Sequence, residues 1–191
     1  MDDDAASDGE LATRAGRGDG AAFEALVERH YSSIHALAWR LDPACADDLA
    51  QDVCVRLPSA LRSFRGEAAF RTWLYRLVVN AARDAWRRAG AYGRAVEGWA
   101  EIDALRRADA AHDAVRADWL AGALATLSPG LRETVALVLG EAMTHAEAAA
   151  VLGVGEGTVS WRMSEVRRAL RRRADEEETG VPTETVAEAM R

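Results

Sequence analysis

The sequence predicts an all-α protein: two small helical domains joined by a flexible linker, the second a helix-turn-helix domain. Apolar residues recur at intervals of three and four over several long segments, as on one face of a helix. Alanine is abundant and runs of β-branched residues are short, which favours helices over strands. Near the carboxyl end, a short predicted helix, a glycine turn and a longer predicted helix follow one another, which is the order of a helix-turn-helix.

The amino-terminal part divides at Asp19. Residues 1–18 are acidic and contain few large apolar residues, so we expect a disordered amino-terminal segment. Asp19 is then placed to cap a helix. Apolar residues follow at helical spacing from residue 23 to residue 41. The first helical domain is therefore predicted over residues 19–92.

Two further helices complete this first unit. Asp42 and Pro43 begin the second helix as its cap and its first-turn proline, and Pro58 is predicted to kink or end it. The third helix is predicted over FRTWLYRLVVNAARDAWRR, where apolar residues form a buried stripe and several arginines remain toward solvent.

A linker over residues 93–113 separates the two units, because small and charged residues alternate there without a strong apolar face. The second unit is predicted over residues 114–174. Within it, Ser128 and Pro129 supply a cap and a first-turn proline. The pattern THAE is a capping box that opens the short helix of the helix-turn-helix.

The last predicted helix has an apolar face and a polar face. Its apolar residues recur at steps of four, three and four, and they are Val159, Met163, Val166 and Leu170. We expect them to pack on Ala149, Leu152 and Leu139. The outward side of the first turns is the part that a helix-turn-helix places in the major groove of DNA. The candidate DNA-contacting residues are Thr158, Ser160, Trp161, Arg162, Glu165, Arg167 and Arg168.

The net charge of −7 conceals two basic segments. Residues 1–10 and 174–191 together carry −10, so residues 11–173 carry +3. Within that body, residues 56–94 carry +7 and residues 155–173 carry +4. One basic run alone is most simply a solvated helix face, but two such runs, each on a candidate binding motif, favour nucleic-acid binding.

Several functional classes are disfavoured. The stretch MDDDAASDGE is acidic, unlike a secretion signal, and no apolar run approaches the roughly 20 residues that span a bilayer. We therefore expect a cytoplasmic protein without membrane insertion. Cys45 and Cys54 lie nine residues apart, which is neither a CxxC motif nor a zinc-binding spacing. With no nucleophile, metal cluster or phosphate loop evident, we expect no enzyme, catalytic residue, metal, cofactor or small-molecule substrate.

Three stretches in series carry a family resemblance: ADDLAQDVCVRL, LRSFRGEAAFRTWLYRLVVNAARDAWRR and LATLSPGLRETVALVLGEAMTHAEAAAVLGVGEGTVSWRMSEVRRALR. In order and spacing they resemble bacterial RNA polymerase sigma factors of the extracytoplasmic-function (ECF) group, over residues 23–173. The resemblance implies that the first unit is region two, which binds the polymerase clamp and the minus-ten promoter element. The second unit would be region four, which binds the polymerase flap and the minus-35 element. The family is commonly held inactive by an anti-sigma factor.

The resemblance also implies roles for residues of the first unit. The clamp contact maps to one face of the second helix, which carries Asp48, Gln51, Asp52 and Arg56. An acidic face suits a basic partner, and a plain solvated face is the alternative. Minus-ten recognition needs a pocket for an extruded base and a basic track for the backbone. It maps to loop 62–66 and the next helix, with Ser63, Phe64, Arg65, Arg71, Asn80, Arg83, Arg87 and Arg88.

Three aromatic residues of the same helix are further candidates for stacking on bases. At its spacing, Trp73 is expected to be mainly a core residue. Tyr75 is equally consistent with stacking and with packing, and Trp86 lies one residue past the buried stripe, which leaves its role open.

The recognition helix departs from the family pattern. Gly155 stands where the family usually has a serine, and Ser160-Trp161-Arg162 stands where it has Lys-Ser-Arg. Three roles for Trp161 compete. It packs at the edge of the groove against a thymine methyl or a sugar, it anchors a protein partner, or it packs against the preceding helix. The acidic tail, residues 175–191, is interpreted as a solvating tail, the alternative being that it folds back on the basic helix.

Three functions compete at this stage. The leading one is a transcription initiation factor that directs core RNA polymerase to promoter DNA. A sigma-like decoy that titrates an anti-sigma factor is a second, favoured only by the departure at Trp161. A simple helix-turn-helix repressor is the third, and it leaves the first unit unexplained.

Overall fold

The computed structural model describes residues 6–88, 124 and 126–179, and these residues form helices without any strand. This confirms the predicted all-α fold class. We number the α-helices in chain order within the described ranges. They are α1 (Asp8–Gly16), α2 (Gly20–Leu41), α3 (Ala46–Leu61), α4 (Phe70–Arg88), α5 (Pro129–Val135), α6 (His145–Leu152) and α7 (Glu156–Thr179). A 3-10 turn (Pro43–Cys45) precedes α3, and a π-helical turn (Ala136–Gly140) continues α5.

The predicted disorder of residues 1–18 is wrong for the part that forms α1. The Ser7 hydroxyl accepts a hydrogen bond from the Glu10 N–H, and the Glu10 carboxylate accepts one from the Ser7 N–H. This capping box satisfies two amide groups at the helix start. Leu11 and Ala12 are buried against α2 and α3. An acidic composition therefore did not prevent folding, because the apolar face of the capped helix is buried and its Asp8 pairs with basic side chains of α2. Residues 1–5 lie outside the described residues.

The helices α2, α3 and α4 pack into a bundle around one apolar core. The Asp19 carboxylate accepts a hydrogen bond from the Ala22 N–H at 3.1 Å, which confirms the predicted cap of α2. The predicted third helix is also confirmed, since α4 spans the whole of FRTWLYRLVVNAARDAWRR. The fully buried core residues of the bundle include Leu26, Ile34 and Leu37 of α2, Val53 and Leu57 of α3, and Leu74, Val78 and Val79 of α4.

One expectation about the second helix needs correction, and the alternatives for Pro58 are reduced to one. Asp42 does not cap with its side chain, because its carboxylate is buried and accepts a hydrogen bond from Trp86 Nε1 at 3.0 Å. Pro58 does not end the helix, which continues to Leu61. Proline removes one amide donor from a helix, and the apolar face of α3 on either side of Pro58, at Val53 and Leu61, remains buried.

The second unit has the predicted caps around its short helix. The Thr144 hydroxyl accepts from the Glu147 N–H, and the Glu147 carboxylate accepts from the Thr144 N–H. Gly153 ends α6 with a φ of 70°, a left-handed conformation that glycine adopts without steric cost. At the start of α5, Pro129 occupies the first turn as expected, although the Ser128 side chain makes no capping hydrogen bond.

The apolar face of α7 is buried at Val159, Met163 and Val166, as the spacing predicts. Leu139 does not receive it, because 66% of its surface is exposed. It lies in the π-helical turn, where the altered turn geometry rotates side chains away from the positions of a regular helix. The helix α7 itself continues through residues 175–179, so the predicted acidic tail begins as a continuation of the helix.

The two units pack against each other. The helix α6 contacts α4, and the π-helical turn contacts α2. Ala136, Leu137 and Met143 of the second unit are buried in the same apolar cluster as the core of the first unit. The sequence did not predict this contact, and the predicted linker, residues 93–113, lies outside the described residues.

Gly16 offers a test of how α1 is held. A Cβ atom built at Gly16 would lie 2.6 Å from the backbone oxygen of Leu61. This distance is shorter than a normal contact, so the end of α3 would have to shift. We expect Gly16→Ala to lower the free energy of unfolding by about 1–3 kcal/mol, as overpacking does. The measurement is urea unfolding followed by circular dichroism. Gly9→Ala in the same helix is the matched control, since no atom lies within 4 Å of its Cβ position.

Candidate nucleic-acid interface

The loop between α3 and α4 presents Ser63 and Arg65 to solvent and holds Phe64 half-buried. The Phe64 ring packs edge-on against Trp73, with ring centroids 5.3 Å apart, and against Phe70 at 5.8 Å. Trp73 in turn stacks on Phe70. This confirms a packing role for Trp73. The aromatic cluster fixes the conformation of the loop, because each ring limits the rotamers of the other two.

An open hollow of about 630 Å³ lies between this loop and α1. Phe64 and Gly66 line it from the loop, and Glu10, Thr13 and Arg14 line it from α1. The α1 wall was not predicted from the sequence, because residues 1–18 were expected to be disordered. The capping-box pattern at Ser7 and Glu10 was the signal that could have revealed it.

The structure divides the polar residues predicted on α4 into two groups. Asn80, Arg87 and Arg88 are exposed toward the end of the helix. Arg71 and Arg83 instead contact the second unit. Arg71 donates to the backbone oxygen of Glu141, and Arg83 donates to both carboxylate oxygens of Glu133 at 2.7 and 2.6 Å.

The contacts that α4 and α2 make with the second unit were not predicted from the sequence. Arg40 donates to the Glu141 carboxylate, and so does the hydroxyl of Tyr75. Burial, together with the hydrogen bond to Glu141, raises the pKa of Tyr75, so the phenol remains protonated and donates. Tyr75 is therefore packed and hydrogen-bonded rather than available for stacking on a base. No local spacing indicated these pairs, because the partners lie 66 and 101 residues apart.

The predicted clamp-binding face of α3 is partly engaged in an ion network. Asp48 and Gln51 are exposed, whereas Asp52 and Arg56 are half-buried. Arg56 pairs with Asp52 at 2.6 Å and lies 3.6 Å from Asp84 of α4. Arg88 lies 3.7 Å from Asp52. The network therefore joins the α3 face to the basic end of α4.

On α7, the predicted outward residues are at the surface, with two exceptions. Thr158, Ser160, Trp161, Arg167 and Arg168 are exposed. Arg162 is half-buried and donates to the backbone oxygen of Gly130 at 3.3 Å, which ties α7 to the start of α5. Glu165 is half-buried and pairs with Arg168 at 2.6 Å.

Trp161 is 60% exposed, so the idea that it tucks against the preceding helix is wrong. Its neighbour Ser160 instead makes that contact, since its hydroxyl lies 2.9 Å from Nδ1 of His145 on α6. The two remaining interpretations of Trp161, at a groove edge or at a protein partner, both need an exposed indole.

The described residues offer no sign of other chemistry. Within residues 6–88, 124 and 126–179, no three His, Cys, Asp or Glu side chains converge to hold a metal ion. Burial raises the pKa of the Cys45 and Cys54 thiols, which disfavours the reactive thiolate. Over the same ranges, no helix combines the length and apolarity that crossing a membrane requires.

Two family models match the sequence. The model described as Sigma-70 region 2 matches residues 26–92, and the model described as Sigma-70, region 4 matches residues 123–172. The ECF RNA polymerase sigma factor SigM of Mycobacterium tuberculosis is 37% identical over 179 residues, which cover 92% of this chain and 88% of SigM. The chain belongs to the ECF sigma factors. This sigma factor is thus a transcription initiation factor that directs core RNA polymerase to promoter DNA.

Two solved structures resemble the sigma factor. CnrH in complex with the cytosolic domain of CnrY gives a TM-score of 0.66 at 31% identity, covering 88% of this chain and 97% of that chain. The sigma factor RpoE in complex with the anti-sigma factor NepR, from Bartonella quintana, gives a TM-score of 0.63 at 23% identity, covering 80% and 96%. Because the identity with RpoE is only 23%, the likeness to that structure is evidence of the fold alone.

The capping box of α6 gives a test of how the helix-turn-helix is held. Thr144→Ala removes the hydroxyl that caps the helix, and we expect it to cost about 0.5–2 kcal/mol of stability. Urea unfolding at neutral pH, monitored by circular dichroism, measures this loss. Thr158→Ala is the control, because Thr158 lies exposed on α7. An equal loss in both variants would contradict the capping role.

The same capping box predicts a pH dependence. Hydrogen bonds from the Thr144 N–H and hydroxyl lower the pKa of Glu147. Because the folded-state pKa lies below the unfolded one, this contribution is present at neutral pH and lost as the pH falls through the lowered pKa. Part of the difference in the free energy of unfolding between Thr144→Ala and the unsubstituted protein should therefore disappear at acidic pH. A difference that is constant with pH would contradict the hydroxyl's role in holding the Glu147 carboxylate.

Proposed function

We propose that this sigma factor acts in the cytoplasm, without catalytic chemistry of its own, by dividing promoter recognition between its two units. The observation that carries the proposal is the juxtaposition of the loop of residues 62–66 with α1 and α4. That arrangement offers a hollow and an aromatic cluster beside the start of α4, and the exposed Asn80, Arg87 and Arg88 continue along that helix away from the loop. These are the parts that binding an unpaired DNA strand requires.

In region two, we assign minus-ten binding to the loop and to α4. Ser63 and Arg65 are exposed on either side of Phe64, which lines the hollow. An extruded base would enter the hollow between the loop and α1. The backbone of the strand would follow the polar side of α4. The residues assigned to it are Arg71, Asn80, Arg83, Arg87 and Arg88. Binding the unpaired strand more tightly than the duplex shifts the equilibrium toward melting.

In region four, we assign minus-35 binding to the first turns of α7. Thr158, Ser160 and Trp161 are exposed there, and a recognition helix enters the major groove with such turns. Arg167 and Arg168 lie one to two turns further on, where arginines meet phosphates. Arg162 and Glu165 are half-buried, so we expect them to orient α7 as well as to approach the DNA.

We assign the clamp contact of core polymerase to the α3 face of Asp48, Gln51, Asp52 and Arg56. The exposed carboxylate of Asp48 suits a basic partner surface. The flap contact is assigned to region four. An anti-sigma factor is a further proposed partner, because CnrH is bound to the cytosolic domain of CnrY and RpoE to the anti-sigma factor NepR in the two similar structures. The exposed Val55 and Leu139 are apolar residues that such a partner would cover.

Run-off transcription with core polymerase tests the proposal. We expect the purified chain to direct core polymerase to specific start sites on fragmented genomic DNA. A matched reaction with core polymerase alone is the control. Binding to core polymerase without any promoter-specific transcript would contradict the proposal. DNA binding without binding to core polymerase would favour the repressor.

Trp161 distinguishes a DNA contact from a protein contact. If it packs at the groove edge, Trp161→Ser should weaken promoter binding by the holoenzyme by about tenfold, the scale of one lost base contact. It should also change the preferred minus-35 sequence in a randomised pool. The exposed Ser164, one turn along α7, supplies the control variant Ser164→Ala. Unchanged affinity and unchanged sequence preference would rule out the groove contact.

A further inference from the structure

The loop between α3 and α4 has a single anchor in the protein interior. Of residues 62–69, Phe64 alone is not exposed. At the start of the loop, the Phe64 N–H donates to the backbone oxygen of Leu61 at 3.1 Å. Further on, Gly66 has a φ of 71°, and no atom lies within 4 Å of its Cβ position. The path of the loop therefore depends on where the Phe64 ring is held.

Phe70, the first residue of α4, holds that ring. It is 5% exposed, and its ring centroid lies 5.8 Å from that of Phe64 and 5.6 Å from that of Trp73. A third ring contacts Phe70 from α2, the imidazole of His30, at 5.1 Å and an interplanar angle of 59°. Packed rings limit one another's rotamers. The position of His30 therefore limits Phe70 and, through Phe70, the anchor of the loop.

Asp8, the first residue of α1, fixes the His30 imidazole. One carboxylate oxygen of Asp8 lies 2.8 Å from Nε2 of His30, whose side chain is 16% exposed. A carboxylate accepts this hydrogen bond, so Nε2 carries the hydrogen and the ring orientation is set. The other oxygen accepts from Arg29 at 3.1 Å, and Arg29 also donates to the backbone oxygen of Ala6 at 2.8 Å. Two neighbouring side chains of α2 thus hold the start of α1.

The same pair holds both walls of the hollow. The helix α1 lines the hollow opposite the loop, with Thr13 and Arg14 among its lining residues. Asp8 fixes the start of that helix, and His30 packs on Phe70, which anchors the loop. The width of the hollow therefore depends on one hydrogen-bonded pair that lies outside it, because neither Asp8 nor His30 lines it.

We propose that Asp8 and His30 are positioning residues for minus-ten recognition. They hold α1 and the α3–α4 loop at the spacing that admits an extruded base, and they contact neither the base nor the polymerase. Binding sites depend on such supporting contacts, because a wall displaced by a fraction of an ångström no longer matches its ligand. The inference rests on the proposed function of the loop.

The first test measures promoter opening by the full chain with core polymerase. Asp8→Ala removes the carboxylate, and His30→Leu keeps an apolar side chain but removes the donor and the ring. Each should lower the permanganate reactivity of unpaired thymines in a promoter fragment by about fivefold, the factor that corresponds to one net hydrogen bond. Asp8→Glu keeps a carboxylate within reach of His30 and should restore most of the opening.

Two further measurements separate positioning from a contribution to stability. Affinity for core polymerase should be unchanged in both variants, and so should the affinity of the holoenzyme for a duplex that ends upstream of the minus-ten element. A pair that only stabilises region two would instead lower all three activities together. Circular dichroism should show that helix content is retained.

Fluorine NMR reports the loop anchor directly. The chain contains three phenylalanines, so labelling with 4-fluorophenylalanine gives three signals, which single substitutions assign. Asp8→Ala and His30→Leu should shift the signals of Phe64 and Phe70. The signal of Phe23, two turns before His30 on α2, should move far less. Glu28→Ala is the matched control, because it removes an exposed carboxylate from α2 and should change neither the signals nor promoter opening.

Three outcomes would overturn the proposal. The first is that the signals of Phe64 and Phe70 stay in place in both variants. The second is that these signals shift while promoter opening is unchanged. The third is that binding to core polymerase falls as much as opening does. Failure of the proposed function is a separate result, seen as absence of run-off transcripts from the unsubstituted protein, and the fluorine signals then still decide whether the pair positions the loop.

Discussion

A carboxylate buried at position 141 requires donors around it, and this requirement organises the contact between the two regions. The donors come from two helices of region two, Arg40 from α2 and Tyr75 from α4. Gly140 leaves the room for this approach, because a Cβ there would lie 2.5 Å from the Arg40 side chain. Leu139 and Gly140 belong to the π-helical turn, and Glu141 follows directly after it, so this turn sets both the position of the carboxylate and the exposure of Leu139.

The helix α4 takes part in the core of region two, in the contact with region four and in the ion network with α3. Its apolar face completes the core of region two through Leu74 and Val78. Its polar side carries arginines that pair with region four near its middle and with the α3 network near its end. Asp52 belongs to that network and also to the proposed clamp face. The proposed contacts with polymerase and with DNA therefore share charges, and binding at one surface changes the electrostatic environment of the other.

The departures of the recognition helix have unequal consequences. Ser160 turns its hydroxyl toward His145 of the preceding helix, and Arg162 holds the start of α5. Trp161 is the large residue that this arrangement leaves at the surface. The exposed indole in the first turns of α7 is a large apolar side chain at a position where a serine is expected in the family.

The sequence by itself determined the helices, their caps at Asp19 and Thr144, and the helix-turn-helix, because helical periodicity and capping depend on residues three or four positions apart. It also predicted the family, through three stretches in series. It did not predict α1, because the apolar face of this helix is short and its burial depends on the surface that α2 and α3 provide. Only the tertiary structure decided the partners of Arg71, Arg83 and Tyr75, because pairing between charges distant in sequence depends on which buried surfaces fold together. A solvated arginine and one that grips a buried carboxylate look the same in a sequence, and the difference between them is created by burial.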